Sequence, residues 1–409
     1  MIAINPEKYR DDFPVLKKEI NGKQIVYFDN ACMSLKPRQV VEKINEYYNE
    51  YPACAGRSSH KFGSRVTEEF EKSREIISKH IGSIRKDEIV FTRNTTESIN
   101  LVANSLDFTS ENGRNVVLTS DREHNSNLVP WQYLREKKRI LHKVIPSNPD
   151  STFSMENFEA KLDKTVRLVS LVHTSNLDGY SLPVKEIIKI AHDNGSLVML
   201  DAAQSMPHKE INARKLDVDF LAFSGHKMLG PTGTVVLYGK KELLDELNPF
   251  LVGGDTVKST TYDSHEFLPV PEKFEAGLQD YSGIIGLGEA VKYLDKVGKQ
   301  NIEKHEIELN SKISEALQSL SGLKILGPKE PEKRSGIVSF TIDKMNFHEI
   351  ALMLDRMENI MVRSGQHCVH SWFNAHKIDG SCRASLYFYN TIEETEIFIS
   401  ALNRILKLR

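Results

Sequence analysis

A lysine and an aspartate carry the strongest chemical signal in this chain. The short apolar run 219–223 delivers Ser224-Gly225-His226-Lys227, followed by Met228-Leu229-Gly230-Pro231-Thr232-Gly233. A lysine in a glycine-flanked turn at the end of a buried strand is partly desolvated and gives up its proton more easily, as an amine that attacks a carbonyl must. Upstream, the run 197–200 delivers Asp201, with Ala202-Ala203-Gln204 behind it. A carboxylate at a buried strand end is costly unless it faces a positive group, and a protonated pyridine nitrogen is such a group. After a short predicted strand at 88–92, Arg93-Asn94-Thr95-Thr96-Glu97-Ser98 opens a helix rich in hydroxyls. Free N–H groups and the helix dipole at such a start suit a phosphate. Near the other end of the chain, Val362-Arg363-Ser364-Gly365-Gln366-His367-Cys368 sets a cysteine behind an arginine and a histidine in a glycine-containing turn. Positive charge there favours a thiolate. Taken singly, each residue has a plainer reading: a solvated lysine, a helix-capping aspartate, a threonine N-cap, a small buried thiol. The order Asp then Lys, with strands between them, is what lifts Lys227 above that.

The elements that must position these groups read as βα units. Between about 85 and 240, β-branched runs at 116–120, 166–175, 196–201, 219–224 and 234–238 alternate with helical stretches, the pattern of a largely parallel sheet. Residues 184–194 place Ile187, Ile188 and Ala191 on one helical face, and Gly195 follows as a left-handed stop. Ligands of open α/β sheets collect where strands end and helices begin, which is where the singled-out residues fall. Beyond about 290 the texture changes to a long charged helical region (291–320) and a Pro/Gly/Lys loop (327–336). Shorter predicted strands at 336–341, 360–363 and 383–387 and a closing helix at 393–408 follow. The expected division is a large α/β unit over 25–290 and a smaller α+β unit made of 1–24 and 291–409.

With 409 residues, 40% hydrophobic and 27% charged, the chain can bury a large core. A formal net charge of -2, with both signs mixed along the chain, leaves no footprint for nucleic acid or an anionic membrane. Small molecules and proteins are the expected partners. The stretch 1–14 is charged from Glu7 on, and no later apolar run approaches the ~20 residues that span a bilayer, so a cytoplasmic location is expected. Cys32, Cys54, Cys368 and Cys382 have neither zinc-ligand spacing nor disulfide-scaffold density, so no metal site is expected. Internal repeats and low-complexity segments are absent from the sequence.

Together the motifs resemble those of fold-type I, class V aminotransferase-like enzymes. Ser224 to Lys227 resembles their lysine motif, extended by Gly230-Pro231-Thr232-Gly233. The segment 93–100 is similar to R-G-T-T-E-x-I-N, and Glu123-His124-Asn125-Ser126-Asn127 with Pro130-Trp131 to E-H-H-x-N-x-x-P-W. Tyr27-Phe28-Asp29-Asn30-Ala31, His173-Thr174-Ser175-Asn176, Phe274-Glu275-Ala276-Gly277 and Asn390-Thr391 fit as well, so the resemblance covers nearly the whole chain. The segment 362–368 resembles the R-[TSA]-G-x-H-C of cysteine desulfurases, and its short continuation to Trp372 the group II (SufS-type) form. The resemblance implies a large domain with a mixed, mostly parallel seven-stranded sheet, plus a smaller α+β domain.

It also implies pyridoxal 5'-phosphate as cofactor, carried by Lys227. Asp201 would pair with the pyridine nitrogen, and His124 would stack on the ring and act as acid or base. Thr95, Thr96, Ser224 and His226 would hold the phosphate, with Gln204 and Asn176 near the ring hydroxyl. Arg383 would bind the substrate carboxylate, helped by Asn176 and Arg363. The implied reaction converts L-cysteine to L-alanine and leaves a persulfide on Cys368. An acceptor or scaffold protein would collect that sulfur for iron–sulfur cluster assembly, and the enzyme would be a homodimer. Departures from the pattern are Leu278 in place of a threonine that reaches the neighbouring subunit's phosphate, Gln366 in place of a histidine, Val369-His370-Ser371 after the cysteine, and Cys32 in place of an alanine. Cys32, Cys54 and Cys382 read as structural. Alternatives left open are a selenocysteine lyase, a class V transaminase or β-lyase with an incidental Cys368, and a non-catalytic scaffold.

Overall fold

The computed structural model describes residues 4–108 and 113–408; residues 1–3 and 409 of the expected small unit lie outside them. The main sheet has seven strands. In chain order they are β1 (Ile89–Thr92), β2 (Val116–Ser120), β3 (Leu141–Ile145), β4 (Val166–Val172), β5 (Leu197–Asp201), β6 (Phe220–Ser224) and β7 (Val235–Gly239). Their spatial order is β1-β7-β6-β5-β4-β2-β3. Strand β7 runs antiparallel to both neighbours, and the other pairings are parallel. Six strands therefore end at the same edge. β5, β6 and β7 are buried along almost their whole length, as expected of apolar runs covered by helices on both faces.

The crossover helix Val184–Asp193 buries Val184, Ile187, Ile188 and Ala191, and Gly195 takes φ +80° at its end. Strand β3 has no counterpart among the sequence expectations. It is an edge strand with an exposed, mixed face, so it lacks the apolar run that reveals the central strands. The charged region expected at 291–320 is two helices, Tyr281–Val297 and Lys299–Gln318, broken at Gly298 with φ +87°. The first packs on helices Arg38–Glu50 and Lys61–His80. Glycine makes that approach possible: a Cβ at Gly288 would lie 2.6 Å from Ser73 Oγ.

The second sheet is antiparallel, in the order β8-β9-β11-β10, with β8 (Leu323–Ile325), β9 (Ile337–Ile342), β10 (Arg363–Gly365) and β11 (Ser381–Ser385). The run expected as one strand at 360–363 is divided: Ile360–Met361 pairs in parallel with Val26–Tyr27, and β10 begins at Arg363. Val26 and Phe28 thereby enter a core with Leu309, Ile313, Phe340, Ile350 and Phe398. The closing helix Ile392–Lys407 starts on a capping box in which Thr391 and Glu394 satisfy each other's backbone N–H groups, an arrangement that contributes about 1 kcal/mol. The stretch that follows Val26–Tyr27 is held against β11, where Ser385 N donates to Phe28 O at 2.7 Å and Asn30 Nδ2 donates to Ser385 O at 2.8 Å.

Candidate active site

Every residue singled out for chemistry lines one cleft, between the carboxyl edge of the main sheet and the second sheet. Asp201 is the last residue of β5 and is 4% exposed. Its Oδ1 accepts from Ala203 N at 3.0 Å. One strand over, β6 ends at Ser224 and the chain tightens into a single 3-10 turn, Gly225–Lys227. Gly225 allows that turn, since a Cβ there would lie 2.7 Å from Thr234 O. Burial pushes the Asp201 carboxyl up and the Lys227 ammonium down from their ordinary values, and the charge of each opposes the shift of the other. The pair is thus an acid and an amine poised by the same low-dielectric floor.

His124 caps helix Asn125–Glu136, its Nδ1 accepting from Ser126 N at 3.0 Å. Burial, reinforced by Lys227 and Arg383, pushes it down to about 3. The ring is neutral at pH 7, and an accepting Nδ1 leaves its proton on Nε2. At the neighbouring helix start, Asn94 Oδ1 accepts from Glu97 N at 2.9 Å and caps Thr95–Ser105. Thr95 Oγ1 shares a hydrogen bond with Ser224 Oγ at 2.6 Å, and Thr96 Oγ1 with Ser126 Oγ at 2.7 Å. His226 beside them is pushed down to about 4 by burial and then by Lys227 and Lys36.

The other wall comes from the second sheet. Arg383 in β11 lies directly across from Arg363 in β10. Like charges opposite one another repel, and Asp29 offsets this, its Oδ1 3.6 Å from Arg383 Nη2 and its Oδ2 3.6 Å from Arg363 Nη1. Arg383 Nη1 donates to Asn176 O at 2.9 Å. Asn176 Nδ2 in turn donates to His367 O at 2.6 Å, and Asn125 N to Cys368 O at 2.7 Å. The Cys368 turn is thus pinned to the large sheet by two backbone carbonyls. Gly365, His367 and Cys368 all have positive φ, at 121°, 49° and 59°. His367 Nε2 pairs with Ser381 Oγ at 2.8 Å, and burial pushes its ring down to about 2. Helix His370–His376 follows at once, and Cys368 is exposed.

Four buried atoms in the cleft have no hydrogen-bond partner among the described residues: Gln204 Oε1, Asn176 Oδ1, Arg383 Nε and His367 Nδ1. Buried polar groups are rarely left so. With a hydroxyl-rich helix start, an unpaired amine and a buried carboxylate facing it, this donor set fits pyridoxal phosphate. All of Thr95, Thr96, His124, Asn176, Asp201, Gln204, Ser224, His226, Lys227, Arg363, Cys368 and Arg383 are brought together.

Sequence reasoning gave Asp29 no task, although it ties both arginines; a short strand followed by a carboxylate was the available signal. Ser126 was also passed over. Cys32, read as structural, instead lines the cleft and takes a hydrogen bond from Arg363 Nη1 at 3.1 Å. Cys382 is buried as expected, and Cys54 lies exposed.

The profile of the aminotransferase class-V family matches residues 26–398. A probable cysteine desulfurase of Synechocystis sp. is 39% identical over 97% of this chain and 95% of its own length. One of Pyrococcus abyssi is 39% identical over 98% of each. Among solved structures, the apo cysteine desulfurase of Thermococcus onnurineus superposes with a TM-score of 0.94 at 38% identity, covering 100% of both chains. The cysteine desulfurase CsdA of Escherichia coli, in an S-sulfonic acid form, gives 0.91 at 30% identity, again over 100% of both.

Proposed function

The chain belongs to the aminotransferase class-V family, among the cysteine desulfurases, and from that premise we propose that it converts L-cysteine to L-alanine and takes the sulfur as a persulfide on Cys368. The observation that carries this reading is the presence of Cys368 in the same cleft as Lys227 and Asp201. A transaminase has no use for a thiol there.

When bound, pyridoxal phosphate supplies an electron-withdrawing ring system that acidifies the Cα–H of an amino acid joined to it. Thr95, Thr96, Ser224 and His226 would hold its phosphate, Asp201 its ring nitrogen, Gln204 and Asn176 its hydroxyl, and Lys227 its carbonyl carbon. Arg383 binds the substrate carboxylate with its planar fork and Arg363 assists. The Lys227 amine, its proton made labile by burial, moves the proton at Cα. His124 would lie beside the ring, and the proton on its Nε2 would be available to the reacting centre. The Cys368 thiolate attacks the substrate sulfur; an S–S bond forms, the Cβ–S bond breaks with its electron pair left on Cβ, Cβ takes up a proton, and L-alanine leaves.

The same reading includes an acceptor protein that comes to the exposed Cys368, because the short tether to helix His370–His376 gives the sulfur no long loop to travel on. Delivery to iron–sulfur cluster assembly follows from the family. A homodimer is supported by two exposed apolar side chains, Val252 at 64% and Leu278 at 70%, in segments whose backbones meet where Gly277 N donates to Gly254 O at 2.8 Å. Free thiols at all four cysteines support a cytoplasmic location; among the described residues no helix is long and apolar enough to cross a membrane. The two-unit division is best drawn with the first stretch extended to Phe28, since Val26 and Phe28 belong to the core of the second sheet.

The test is turnover of L-cysteine with a thiol reductant present. L-Alanine and sulfide appear in equal amounts, and Cys368→Ser removes both. A Cys368→Ser protein with wild-type turnover would falsify the desulfurase reading in favour of a β-lyase.

A further inference from the structure

We infer that Cys32 is a resolving thiol: it attacks the persulfide on Cys368, expels hydrogen sulfide and closes a Cys32–Cys368 disulfide across the mouth of the cleft. The inference rests on the desulfurase reading above and adds to it a second thiol, a sulfide-releasing activity and a self-limiting state.

Three observations place Cys32 in this role. It lines the cleft with Cys368, whereas Cys54 lies exposed outside that cleft and Cys382 is buried with its Sγ donating to Phe347 O at 3.0 Å. Its sulfur accepts from Arg363 Nη1 at 3.1 Å, and Arg363 begins β10, the strand that leads to Cys368. That hydrogen bond ties the Cys32 sulfur to a side chain of the strand five residues before Cys368. Negative charge on either sulfur also acts on the same two cations, Lys227 and Arg383.

The two thiols stand on differently built backbone. Cys32 sits on a fixed segment: Ala31 N donates to Ser385 Oγ at 2.9 Å, Gln204 Nε2 to Ala31 O at 2.6 Å, and Cys32 N to Asp29 O at 3.1 Å. Cys368 stands in a strained turn, with His367 and Cys368 both in the left-handed region that non-glycine residues avoid. Closure asks the Cys368 side chain to adopt disulfide geometry while the carbonyls of His367 and Cys368 stay anchored, and relief of the strain in that turn favours the rearrangement.

The step balances without an external oxidant. The Cys32 thiolate forms a bond to the inner sulfur of the persulfide, the persulfide S–S bond breaks, and its electron pair leaves with the outer sulfur. That sulfur is reduced to sulfide and takes up the Cys32 proton, while the two cysteine sulfurs are oxidised to the disulfide. The exchange is ordinary attack of a thiolate on a sulfur–sulfur bond. Reopening the site takes two electrons from an external thiol. An acceptor that drains Cys368 quickly pre-empts the closure; without one, the site shuts after a single turnover.

The experiment uses the full-length holoenzyme with one equivalent of L-cysteine per site and no other thiol, quenched with an alkylating agent for peptide mass analysis. In the wild type, sulfide equals alanine, and the Cys32 and Cys368 peptides appear joined with the loss of two hydrogens. In Cys32→Ser, alanine still forms, sulfide falls to background, and the Cys368 peptide carries one extra sulfur. Cys54→Ser behaves as the wild type. A wild type that keeps the extra sulfur on Cys368 with Cys32 alkylated, or a Cys32→Ser protein that releases sulfide equally, overturns the inference and leaves the desulfurase reading standing. Absence of both alanine and added sulfur in every protein sinks that reading, and the inference falls with it.

Discussion

The two walls of the cleft are built differently. The large-sheet wall fixes Asp201 and Ser224 at the ends of adjacent buried strands that share a ladder, and Lys227 in the single 3-10 turn that directly follows the second of them. The second-sheet wall offers Cys368 from a turn with three positive φ values, pinned by two carbonyl hydrogen bonds and followed by a helix of seven residues. A group that must hold a cofactor through every turnover gains from the first construction. A sulfur that must meet substrate, acceptor and solvent in turn gains from the second.

The sharpest way to separate the walls is to remove one reactive group from each. Lys227→Ala is expected to lower desulfurase turnover by about 10²–10⁴-fold or more and to abolish the visible absorbance of the carried cofactor. Cys368→Ser is expected to lower cysteine turnover just as far while leaving that absorbance intact. Parallel spectra of the two variants check this, and a Cys368→Ser protein without absorbance would erase the distinction. Next in size, Arg383→Lys loses the planar fork and the bond to Asn176 O. A rise in KM for L-cysteine of about tenfold or more is expected from charge-assisted hydrogen bonds of about 1.5–3 kcal/mol, with kcat changed less.

Acid should act on both walls. His124, His173, His226 and His367 are pushed down to about 3, 3, 4 and 2 by burial. Below pH 6.5 the unfolded chain binds protons that the folded chain refuses, so stability is full above that value and falls toward pH 4. The expected slope is about 1.4 kcal/mol per pH unit for each such histidine. Denaturant midpoints across pH 4–8 measure it, and His173→Gln should flatten the curve. The smallest effect concerns the joint between the walls. Asn125 Nδ2 donates to His370 Nδ1 at 2.6 Å, so Asn125→Ala frees the helix after Cys368 at about 1 kcal/mol. Several-fold faster alkylation of Cys368, with cofactor absorbance unchanged, is the expected readout.

The large-sheet wall was the more legible of the two in the sequence. Apolar runs ending in Asp201 and Lys227 announce buried strand ends directly, since a charge there demands a partner. Strand β3 escaped because its exposed face breaks the apolar run, and Gly298 hid inside a charged pattern that reads as one helix. In the second sheet the 360–363 run could not reveal that it divides between two partners, because pairing is a property of distant residues.

The sequence by itself determined the fold class, the order of an aspartate and then a lysine just past buried strands, and the presence of a cysteine beside an arginine and a histidine. These follow from local residue order, which the backbone periodicity of strands and helices converts into position. Only the tertiary structure decided that Asp29 ties Arg363 to Arg383, that His124 keeps its proton on Nε2, and that Cys32 shares the cleft with Cys368. Each of those depends on residues hundreds of positions apart, or on a backbone N–H that side-chain order does not record, and packing alone sets such distances.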